Sequence, residues 1–268
     1  MKTVVVTGSA RGFGYEFVRL FRERDYNVVV CDISKTALKE AENNLLEISS
    51  RGKVLTYEVD ITNEEMVSDM IASVLKEVKT IDIWINNAGV NQPDKAIWEL
   101  DKKVIDRLVD IDLKATILCS KLIMPVMIKQ KSGQIYNVEG YGSNDAKKLG
   151  LSIYGTSKRA ITYFTEALAK ESEEKNTGVL IGKLSPGIMI TDFITNALGN
   201  KEKINLSEKT KKVYNILGDY PDVVAEYLVT EILDNTQNDA KIEWLTNRKA
   251  AWRFMTSAFN KRDFFKER

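Results

Sequence analysis

TVVVTGSARGFG, residues 3–14, is the stretch that decides the fold of this chain. The run of three valines, Val4 to Val6, is β-branched and flanked by threonines, which is typical of a buried strand. From Phe13 to Phe21 the apolar residues then recur at helical spacing. The stretch therefore predicts a strand that passes through a glycine-rich turn directly into a helix.

The glycines of this turn suit the binding of a pyrophosphate. Gly8 permits the tight turn, Gly12 lets the backbone approach a phosphate closely, and Gly14 lets the helix pack on the strand. Free N–H groups and the dipole at a helix N-terminus attract anions. Glycine-rich turns are also common as purely structural features. The position between strand and helix favours a dinucleotide site, to which Arg11 and Phe13 of the same turn are also assigned.

β-type runs alternate with helical patterns along the rest of the chain. The further runs span residues 27–32, 53–60, 81–86, 133–138, 178–184 and 241–245. Such alternation indicates a parallel sheet with both faces covered. We predict a doubly wound α/β Rossmann fold with a mainly parallel sheet of about seven strands. Ligands of such folds bind beyond the carboxyl ends of the strands.

Length and composition predict a single domain over residues 1–268. A chain of this length with 44% hydrophobic residues can bury a large core, and no linker or low-complexity run divides it. The formal net charge of +1 gives no general attraction for nucleic acid. We therefore expect a small-molecule ligand and no nucleic-acid partner.

Several site types and locations are disfavoured by what the sequence lacks. It contains no histidine, which argues against His-based metal sites and Ser-His-Asp triads, and we predict no metal. The two cysteines, Cys31 and Cys119, lie in apolar runs typical of reduced core thiols. No apolar run reaches the ~20 residues that a membrane-spanning helix needs, and no signal peptide precedes the first strand. The expected location is cytoplasmic.

Tyr154 and Lys158 lie four residues apart in a segment with a helical pattern, which places both on one helical face. A neighbouring ammonium favours a phenolate and lowers the pKa of a tyrosine. The pair is thus a candidate for proton transfer. Because the same spacing occurs on many amphipathic helices, the interpretation depends on the rest of the chain.

Four ordered motifs supply that context. They are Thr-Gly-x3-Gly-x-Gly at 7–14, Asn-Asn-Ala-Gly at 86–89, Tyr-x3-Lys at 154–158 and Pro-Gly-x3-Thr at 186–191. With them the chain resembles the short-chain dehydrogenase/reductase family over about residues 1–235. The resemblance implies a NAD(P)-dependent oxidoreductase acting on a carbonyl or an alcohol.

The resemblance also implies roles for individual residues. Tyr154 would be the acid/base at the substrate oxygen, and Lys158 would bind the nicotinamide ribose and lower the Tyr154 pKa. The remaining family positions imply cofactor contacts. They are Asp60 and Ile61 at the adenine, Asn87 at the ribose with Ala88 and Gly89 of the same motif, and Ile188 and Thr191 at the carboxamide with Pro186 and Gly187 of the same motif.

Two positions depart from the family pattern. Gly140 stands where the family carries the serine that polarises the substrate carbonyl, and Asp112 stands where it carries the asparagine of a proton relay. Loss of one preorganised donor costs about two to three decades in rate. Ser143 could supply the hydroxyl from a loop made flexible by Gly140 and Gly142, or it could be a solvent-facing loop serine. Asp112 could still hold a water, while Glu139 is expected to be a solvated loop charge.

The segment from Asn137 to Ser143, together with Tyr-Gly-Thr-Ser-Lys at 154–158, is similar to the chlorophyll b reductase branch of the family. Members of that branch carry an acidic residue before Gly-x-Gly-Ser and reduce a formyl group with NADPH. The likeness indicates a subfamily without specifying a substrate.

Asp32, at the end of the second predicted strand, bears on the choice of cofactor. A carboxylate there binds the adenosine ribose hydroxyls and repels a 2′-phosphate, which favours NAD(H) over NADP(H). Asp32 could instead be the N-cap of the helix that begins near Ser34. Arg11 and Lys35 are nearby cations that could accept a phosphate.

The last stretch, residues 241–268, is a basic and aromatic extension with a net charge of +5. Such composition can mark a membrane surface, but packing on the domain itself or on a neighbouring subunit is commoner and is favoured here. Residues 192–218 form a variable segment that covers the substrate in relatives.

Two functions remain open at this stage. The first is a NAD(P)-dependent oxidoreductase acting on a carbonyl or alcohol with an apolar body. The second is a non-catalytic dinucleotide-binding sensor or interaction protein, which the departures at Gly140 and Asp112 keep possible. Relatives suggest a homodimer or homotetramer.

Overall fold

The chain forms a seven-stranded sheet with helices on both faces, in a computed structural model that describes residues 1–190 and 207–265. The strand order is β3-β2-β1-β4-β5-β6-β7, and every neighbouring pair runs parallel. The strands are β1 (Thr3–Thr7), β2 (Asn27–Asp32), β3 (Val54–Glu58), β4 (Ile83–Asn86), β5 (Gly133–Val138), β6 (Val179–Ser185) and β7 (Ala240–Glu243). The predicted doubly wound Rossmann fold is confirmed.

Helices connect the strands and cover the sheet. They are α1 (Gly12–Glu23), α2 (Lys35–Leu46), α3 (Glu64–Val78), α4 (Lys102–Leu108), α5 (Ala115–Gln130), α6 (Ser152–Glu174), α7 (Glu208–Leu217), α8 (Pro221–Asp234) and α9 (Asn247–Met255). A π-helical turn, Val109–Lys114, joins α4 to α5. Short 3₁₀ turns occur at Ile97–Glu99 and Ser257–Phe259.

The valines of β1 explain why the strand reads as an unbroken apolar run. Val4 and Val6 point into the core on one face of the sheet, while Val5 points into the core on the other. All three are fully buried. A central parallel strand has no solvent face, so alternation of apolar and polar residues disappears.

The direction of strand order reverses between β1 and β4. From β1 the chain proceeds outward to β2 and β3, then returns to the middle and proceeds outward on the other side from β4 to β7. At such a reversal the loops at the carboxyl edge diverge and leave a crevice in which doubly wound folds bind nucleotides. The predicted site residues follow these strands.

The C-terminal extension packs on its own domain through Asp219, which precedes α8. This buried carboxylate accepts hydrogen bonds from Trp244 Nε1 at 2.7 Å, from Arg253 at 2.6 and 3.1 Å and from Arg262 at 3.2 Å. Its backbone also pairs with Ile188 after β6. Aromatic rings of the extension pack on the domain as well, Phe264 on Tyr220 and Trp244 on Tyr227. The expected intramolecular packing is therefore present. No helix within the described residues is both long and apolar enough to span a lipid bilayer.

Candidate active site

The glycine turn after β1 has the backbone geometry that its sequence predicts. Gly8 and Gly12 have φ of +61° and +59°, which disfavours other residues. A Cβ at Gly14 would collide with the carbonyl oxygen of Gly8 and with the side-chain amide of Asn87. A Cβ at Gly12 would meet nothing within 4 Å, so the turn opens to the crevice at this point.

Asn87 and Thr7 tie the glycine turn to the loop after β4. The Thr7 hydroxyl oxygen accepts hydrogen bonds from the N–H groups of Asn87 and Ala88 at 2.9 and 3.0 Å. The Asn87 side-chain amide donates to the carbonyl oxygens of Thr7 and Gly8 at 2.9 and 3.2 Å. In this structure Asn87 thus holds the turn in place. Thr7 is a site residue that the residue-level analysis missed, although it opens the first motif.

These features fit the pyrophosphate of a dinucleotide. Arg11, the N-cap of α1, is extended and makes no side-chain hydrogen bond to the first turn. The first N–H groups of α1 therefore have no side-chain cap and face the open side of Gly12. Phe13 is buried beneath the turn in the core, where it packs against Phe17.

Asp32 lies at the end of β2 beside this turn. Its carboxylate accepts hydrogen bonds from Ser34 N at 3.1 Å and from Ala10 N at 3.4 Å. Ser34, whose hydroxyl accepts from Ala37 N, is the N-cap of α2, so the alternative that Asp32 is the cap is wrong. The partly exposed carboxylate stands at the crevice edge of β2.

The remaining cofactor positions lie at the same edge where the structure describes them. Asp60, after β3, accepts hydrogen bonds from the N–H and hydroxyl of Thr62 at 2.9 and 2.7 Å. Ile61 follows it and packs against the core. Pro186, Gly187 and Ile188 follow β6, and Gly187 has φ +74°. Thr191 and most of the segment 192–218 lie outside the described residues.

Tyr154 and Lys158 share one buried face of α6, as their spacing predicts. Their exposed fractions are 8% and 5%. Lys158 Nζ lies 5.7 Å from the centroid of the Tyr154 ring and donates a hydrogen bond to the carbonyl oxygen of Val138 at 3.2 Å. The strand β5, which ends at Val138, thus fixes the position of the ammonium.

The electrostatics of Tyr154 differ from the sequence expectation. Burial raises the pKa of Tyr154 above its ordinary value, and the charges of Asp112 and Tyr214 raise it further. The expected net lowering of the Tyr154 pKa is therefore wrong. The cause is desolvation, which disfavours the phenolate in a buried site. Tyr154 is a neutral phenol at neutral pH.

Gly140 leaves room for the Tyr154 hydroxyl. A Cβ at Gly140 would collide with Tyr154 Oη and would lie 3.0 Å from Tyr154 Cζ and 3.2 Å from Lys158 Cε. Tyr154 Oη therefore occupies the space that a serine at this position would need. The departure from the family pattern is coupled to the placement of the tyrosine.

Ser143 does not match either sequence interpretation. It is buried, and its hydroxyl donates a hydrogen bond to the Gly140 carbonyl oxygen at 2.7 Å, which excludes a solvent-facing serine. The hydroxyl closes a turn instead of being free for a substrate. Gly142, with φ +101°, approaches so closely that a Cβ would lie 2.5 Å from Gly155 Cα. The glycines serve close packing on α6, whereas the sequence suggested a flexible loop.

Asp112 lies fully buried in the π-helical turn. One carboxylate oxygen, Oδ1, accepts a hydrogen bond from Val90 N at 2.8 Å, and the other, Oδ2, has no hydrogen-bond partner within the described residues. Burial raises the pKa of Asp112 to about 6, against the opposing effects of the Lys158 charge and the Val90 N–H. The unpaired Oδ2 suits a water or a ligand hydroxyl.

Glu139 is buried, so its prediction as a solvated loop charge is wrong. Its Oε1 accepts a hydrogen bond from the Thr162 hydroxyl at 2.8 Å, and its Oε2 lies 3.6 Å from Lys241 Nζ. Burial lowers the pKa of Lys158, whereas the negative charges of Asp112 and Glu139 raise it. Burial outweighs the two carboxylates, so the pKa of Lys158 lies below its ordinary value.

Gln92, in the loop after β4, caps the helix that carries Tyr154. The N-cap residue of α6, Leu151, offers no side-chain acceptor. Gln92 Oε1 instead accepts hydrogen bonds from Ile153 N at 2.9 Å and Tyr154 N at 3.2 Å. Sequence analysis missed this residue because no local pattern links positions 62 residues apart.

Tyr214, on α7, is a second phenol near Tyr154. It is mostly buried and close enough to contribute to the raised pKa of Tyr154. The charge of Asp94 and the phenol of Tyr141 act on it in turn. Only its location in the predicted substrate-covering segment signals a role.

Comparison with known proteins assigns the family. A family model described as short chain dehydrogenase matches residues 2–202, and the chain belongs to this family. Chlorophyll(ide) b reductase NOL, a chloroplastic protein of Arabidopsis thaliana, is 31% identical over 92% of this chain and 71% of its own length. A second chloroplastic protein of that plant, described as a probable chlorophyll(ide) b reductase, is 30% identical over 96% of this chain. The match covers only 53% of that relative, so this chain spans about half its length.

Solved structures share the fold at 20% sequence identity. A 3-ketoacyl-(acyl-carrier-protein) reductase from Brucella melitensis complexed with NADH has a TM-score of 0.79, covering 92% of this chain and 98% of the other. NAD+-bound xylitol dehydrogenase has a TM-score of 0.78, covering 90% and 96%. A metagenomic short-chain oxidoreductase in complex with NADP has a TM-score of 0.72, covering 90% and 95%.

The sequence predictions of the family and of the likeness to chlorophyll b reductases are confirmed, and membership of this family supports the predicted class of NAD(P)-dependent oxidoreductase. The solved neighbours carry either NAD or NADP, and at 20% identity their likeness shows the fold alone. None of the relatives named above is a non-catalytic sensor.

Proposed function

We propose that this chain itself catalyses hydride transfer between a nicotinamide dinucleotide and a carbonyl or alcohol group. The observation that carries the proposal is the buried pair of Tyr154 and Lys158, with the Tyr154 hydroxyl seated over Gly140. A protein that only senses a dinucleotide has no evident need for a buried phenol and ammonium at this place.

The residues at the carboxyl edge of the sheet fit the cofactor. The turn from Gly8 to Gly14 and the N-terminus of α1 would hold the pyrophosphate, and Asp32 would hold the adenosine ribose. Lys158 would bind the second ribose. When bound, the dinucleotide supplies or accepts the hydride.

Tyr154 transfers the proton. The phenol carries its proton at neutral pH and can donate it to a substrate oxygen in the reduction of a carbonyl, while the burial that raises its pKa weakens it as an acid. Members of the family place a serine hydroxyl and a tyrosine hydroxyl at the substrate oxygen. This chain has glycine at 140 in place of the serine, so Tyr154 takes the role of the hydroxyl donor. Lys158 donates a hydrogen bond to the Val138 carbonyl oxygen, and the negative charges of Asp112 and Glu139 stabilise its ammonium. The open Oδ2 of Asp112 would hold the water that brings a replacement proton.

The proposed substrate is a carbonyl compound with a sizeable apolar body. The likeness to chlorophyll(ide) b reductases supports this class. Phe193, Ile194, Leu198 and Ile204, which are apolar residues of the predicted substrate-covering segment, lie outside the described residues.

We further propose that NAD(H) is preferred to NADP(H). The support is the Asp32 carboxylate at the end of β2, which opposes the charge of a 2′-phosphate. Ser143 and Asp112 remain candidates for auxiliary roles, the first through the turn that places Gly140. A single domain over residues 1–268, a cytoplasmic location and a homodimer or homotetramer also remain predictions.

The test is turnover by the wild type and by Tyr154→Phe with a panel of aldehydes, ketones and alcohols, each assayed with NADH and NADPH or their oxidised forms. Tyr154→Phe should lose at least about two decades in kcat, since general acid catalysis contributes that much, while affinity for NADH stays unchanged. Cofactor binding with equal turnover by both proteins would overturn the role of Tyr154. Tighter binding of NADPH than of NADH would overturn the cofactor preference.

A further inference from the structure

The segment Asn247–Phe259, which contains helix α9 and the 3₁₀ turn after it, turns its polar side towards the domain and its apolar side outward. Arg253 points inward, donating to the Leu217 carbonyl oxygen at 2.9 Å and to Asp219. Asn260, just beyond the turn, donates to the Asn215 carbonyl oxygen at 2.7 Å. The polar side of this segment therefore packs on the end of α7, where cations and amides satisfy the last helical carbonyls.

The apolar side faces outward. Trp252, Met255 and Phe259 recur at helical spacing and have exposed fractions of 63%, 72% and 85%. Phe254, at 47%, widens this face. We call these four residues the aromatic face. A cluster of large exposed apolar side chains on one short segment marks an interaction surface, because isolated exposed residues are scattered in ordinary domains.

The charged residues of the segment that carries the aromatic face are all positive. Residues 247–262 contain five lysines and arginines and no acidic residue. Arg248 and Lys261 are exposed and form no ion pair with any residue in the parts of the chain that the structure describes. Outside residues 241–268 the chain has a net charge of −4, so the positive charge is concentrated here.

We propose that the aromatic face and its flanking cations dock this protein on an anionic lipid surface. Aromatic and apolar side chains enter the headgroup region, and Lys and Arg beside them pair with anionic headgroups. A second copy fits less well, because a twofold interface would bring Arg248 and Lys261 against like charges of the same patch. The anchoring of the segment to Asp219 presents this face without refolding.

Co-sedimentation of the full chain with vesicles tests the proposal. Vesicles of equal parts phosphatidylcholine and phosphatidylglycerol should bind the protein at low salt, and vesicles of phosphatidylcholine alone should bind it weakly. The double variant Trp252→Ala/Phe259→Ala should bind the anionic vesicles at least about tenfold more weakly than the wild type does, since it loses two inserted rings. Leu46→Ala, an exposed apolar residue of α2, is the control and should bind like the wild type.

A second variant, which changes charges only, tests the proposal even if the aromatic double variant folds poorly. Arg248→Glu/Lys261→Glu changes two exposed side chains and should abolish the preference for anionic vesicles while the thermal unfolding curve stays that of the wild type. The proposal is overturned if the wild type binds neither vesicle. It is equally overturned if both double variants bind anionic vesicles normally, or if Trp252→Ala/Phe259→Ala converts a dimer to a monomer in light scattering without any vesicle effect.

Discussion

Gly140 and Tyr154 depend on each other. The phenol hydroxyl occupies the space that a side chain at 140 would need, so the missing serine is not a simple deletion of a donor. Close-packed interiors tolerate little added volume, and a residue inserted there displaces its neighbour. A site that lacks the serine can therefore hold the tyrosine in a position that a serine-containing site does not allow.

Gly140→Ser should consequently impair the protein instead of restoring a family feature. We expect a loss of about 1–3 kcal/mol in the free energy of unfolding, which is typical of overpacking, and lower turnover because Tyr154 is displaced. Urea unfolding and steady-state kinetics measure the two effects.

The control for this prediction is the same substitution in the Tyr154→Phe background. Removal of Oη relieves part of the collision, so Gly140→Ser should cost less stability there, by on the order of 1 kcal/mol. Equal costs in both backgrounds, or faster turnover by Gly140→Ser alone, would contradict the coupling.

The raised pKa of the buried Asp112 carboxyl predicts that the stability of the fold depends on pH. Burial raises its folded-state pKa to about 6, whereas an unfolded aspartate has a pKa of about 3.9. The folded state thus keeps the proton to higher pH than the unfolded state, and this group lowers stability as pH rises through that window. Asp112→Asn should gain stability relative to the wild type from about pH 4 to 7, by on the order of 1–3 kcal/mol.

Urea unfolding of both proteins across this pH range measures the difference. Asp110→Asn, in the same turn but with an exposed carboxylate paired to Lys114, is the matched control and should leave the difference nearly constant with pH. A constant difference for Asp112→Asn as well would show that the buried carboxylate does not titrate there.

At the scale of elements, the N-terminus of α6 is capped by Gln92, a residue of the loop after β4. Gln92 accepts hydrogen bonds from the first N–H groups of α6, including that of Tyr154, so helix position and proton donor position are set together. Strand β5 holds the same helix from the other side through Val138 and Lys158.

Gln92→Leu should lower both stability and turnover. Two buried N–H groups would lose their acceptor, which costs about 1–3 kcal/mol, and the first turn of α6 would no longer fix Tyr154. Gln92→Glu keeps an acceptor at the helix N-terminus and should retain most of both properties. If Gln92→Leu unfolds at the same urea concentration as the wild type, the cap contributes nothing to the free energy of unfolding.

At the scale of the whole molecule, Asp219 links the C-terminal extension to the substrate side of the site. It joins Arg253 and Arg262 of the extension to the loop before α8, and its backbone pairs with Ile188 after β6. The extension, the end of α7 and the loop after β6 therefore converge on one residue.

Asp219→Asn should destabilise the folded protein by about 3–5 kcal/mol, because two arginines lose the charge that pairs them in a largely buried place. Limited proteolysis should then cut within residues 244–265 before the rest of the domain. Asp222→Asn, an exposed acid in the first turn of α8, should change little by comparison. Proteolysis at the wild-type rate in Asp219→Asn would show that other contacts hold the extension.

Periodic and local patterns in the sequence by themselves determined the parallel α/β sheet, the glycine turn at its edge and the shared helical face of Tyr154 and Lys158. Strand and helix periods span a few residues, and the i, i+4 rule needs no knowledge of the fold. The predicted ends of some strands were off by one or two residues, because apolar residues such as Val59, Ile81 and Leu245 lie just beyond the strands.

Only the tertiary structure decided the burial of Glu139, the collision space at Gly140, the cap from Gln92 and the role of Asp219. Each depends on side chains brought together from positions far apart along the chain, or on desolvation by such neighbours, and no local period encodes these contacts. Desolvation also reversed the expected shift of the Tyr154 pKa, since burial outweighed the nearby ammonium.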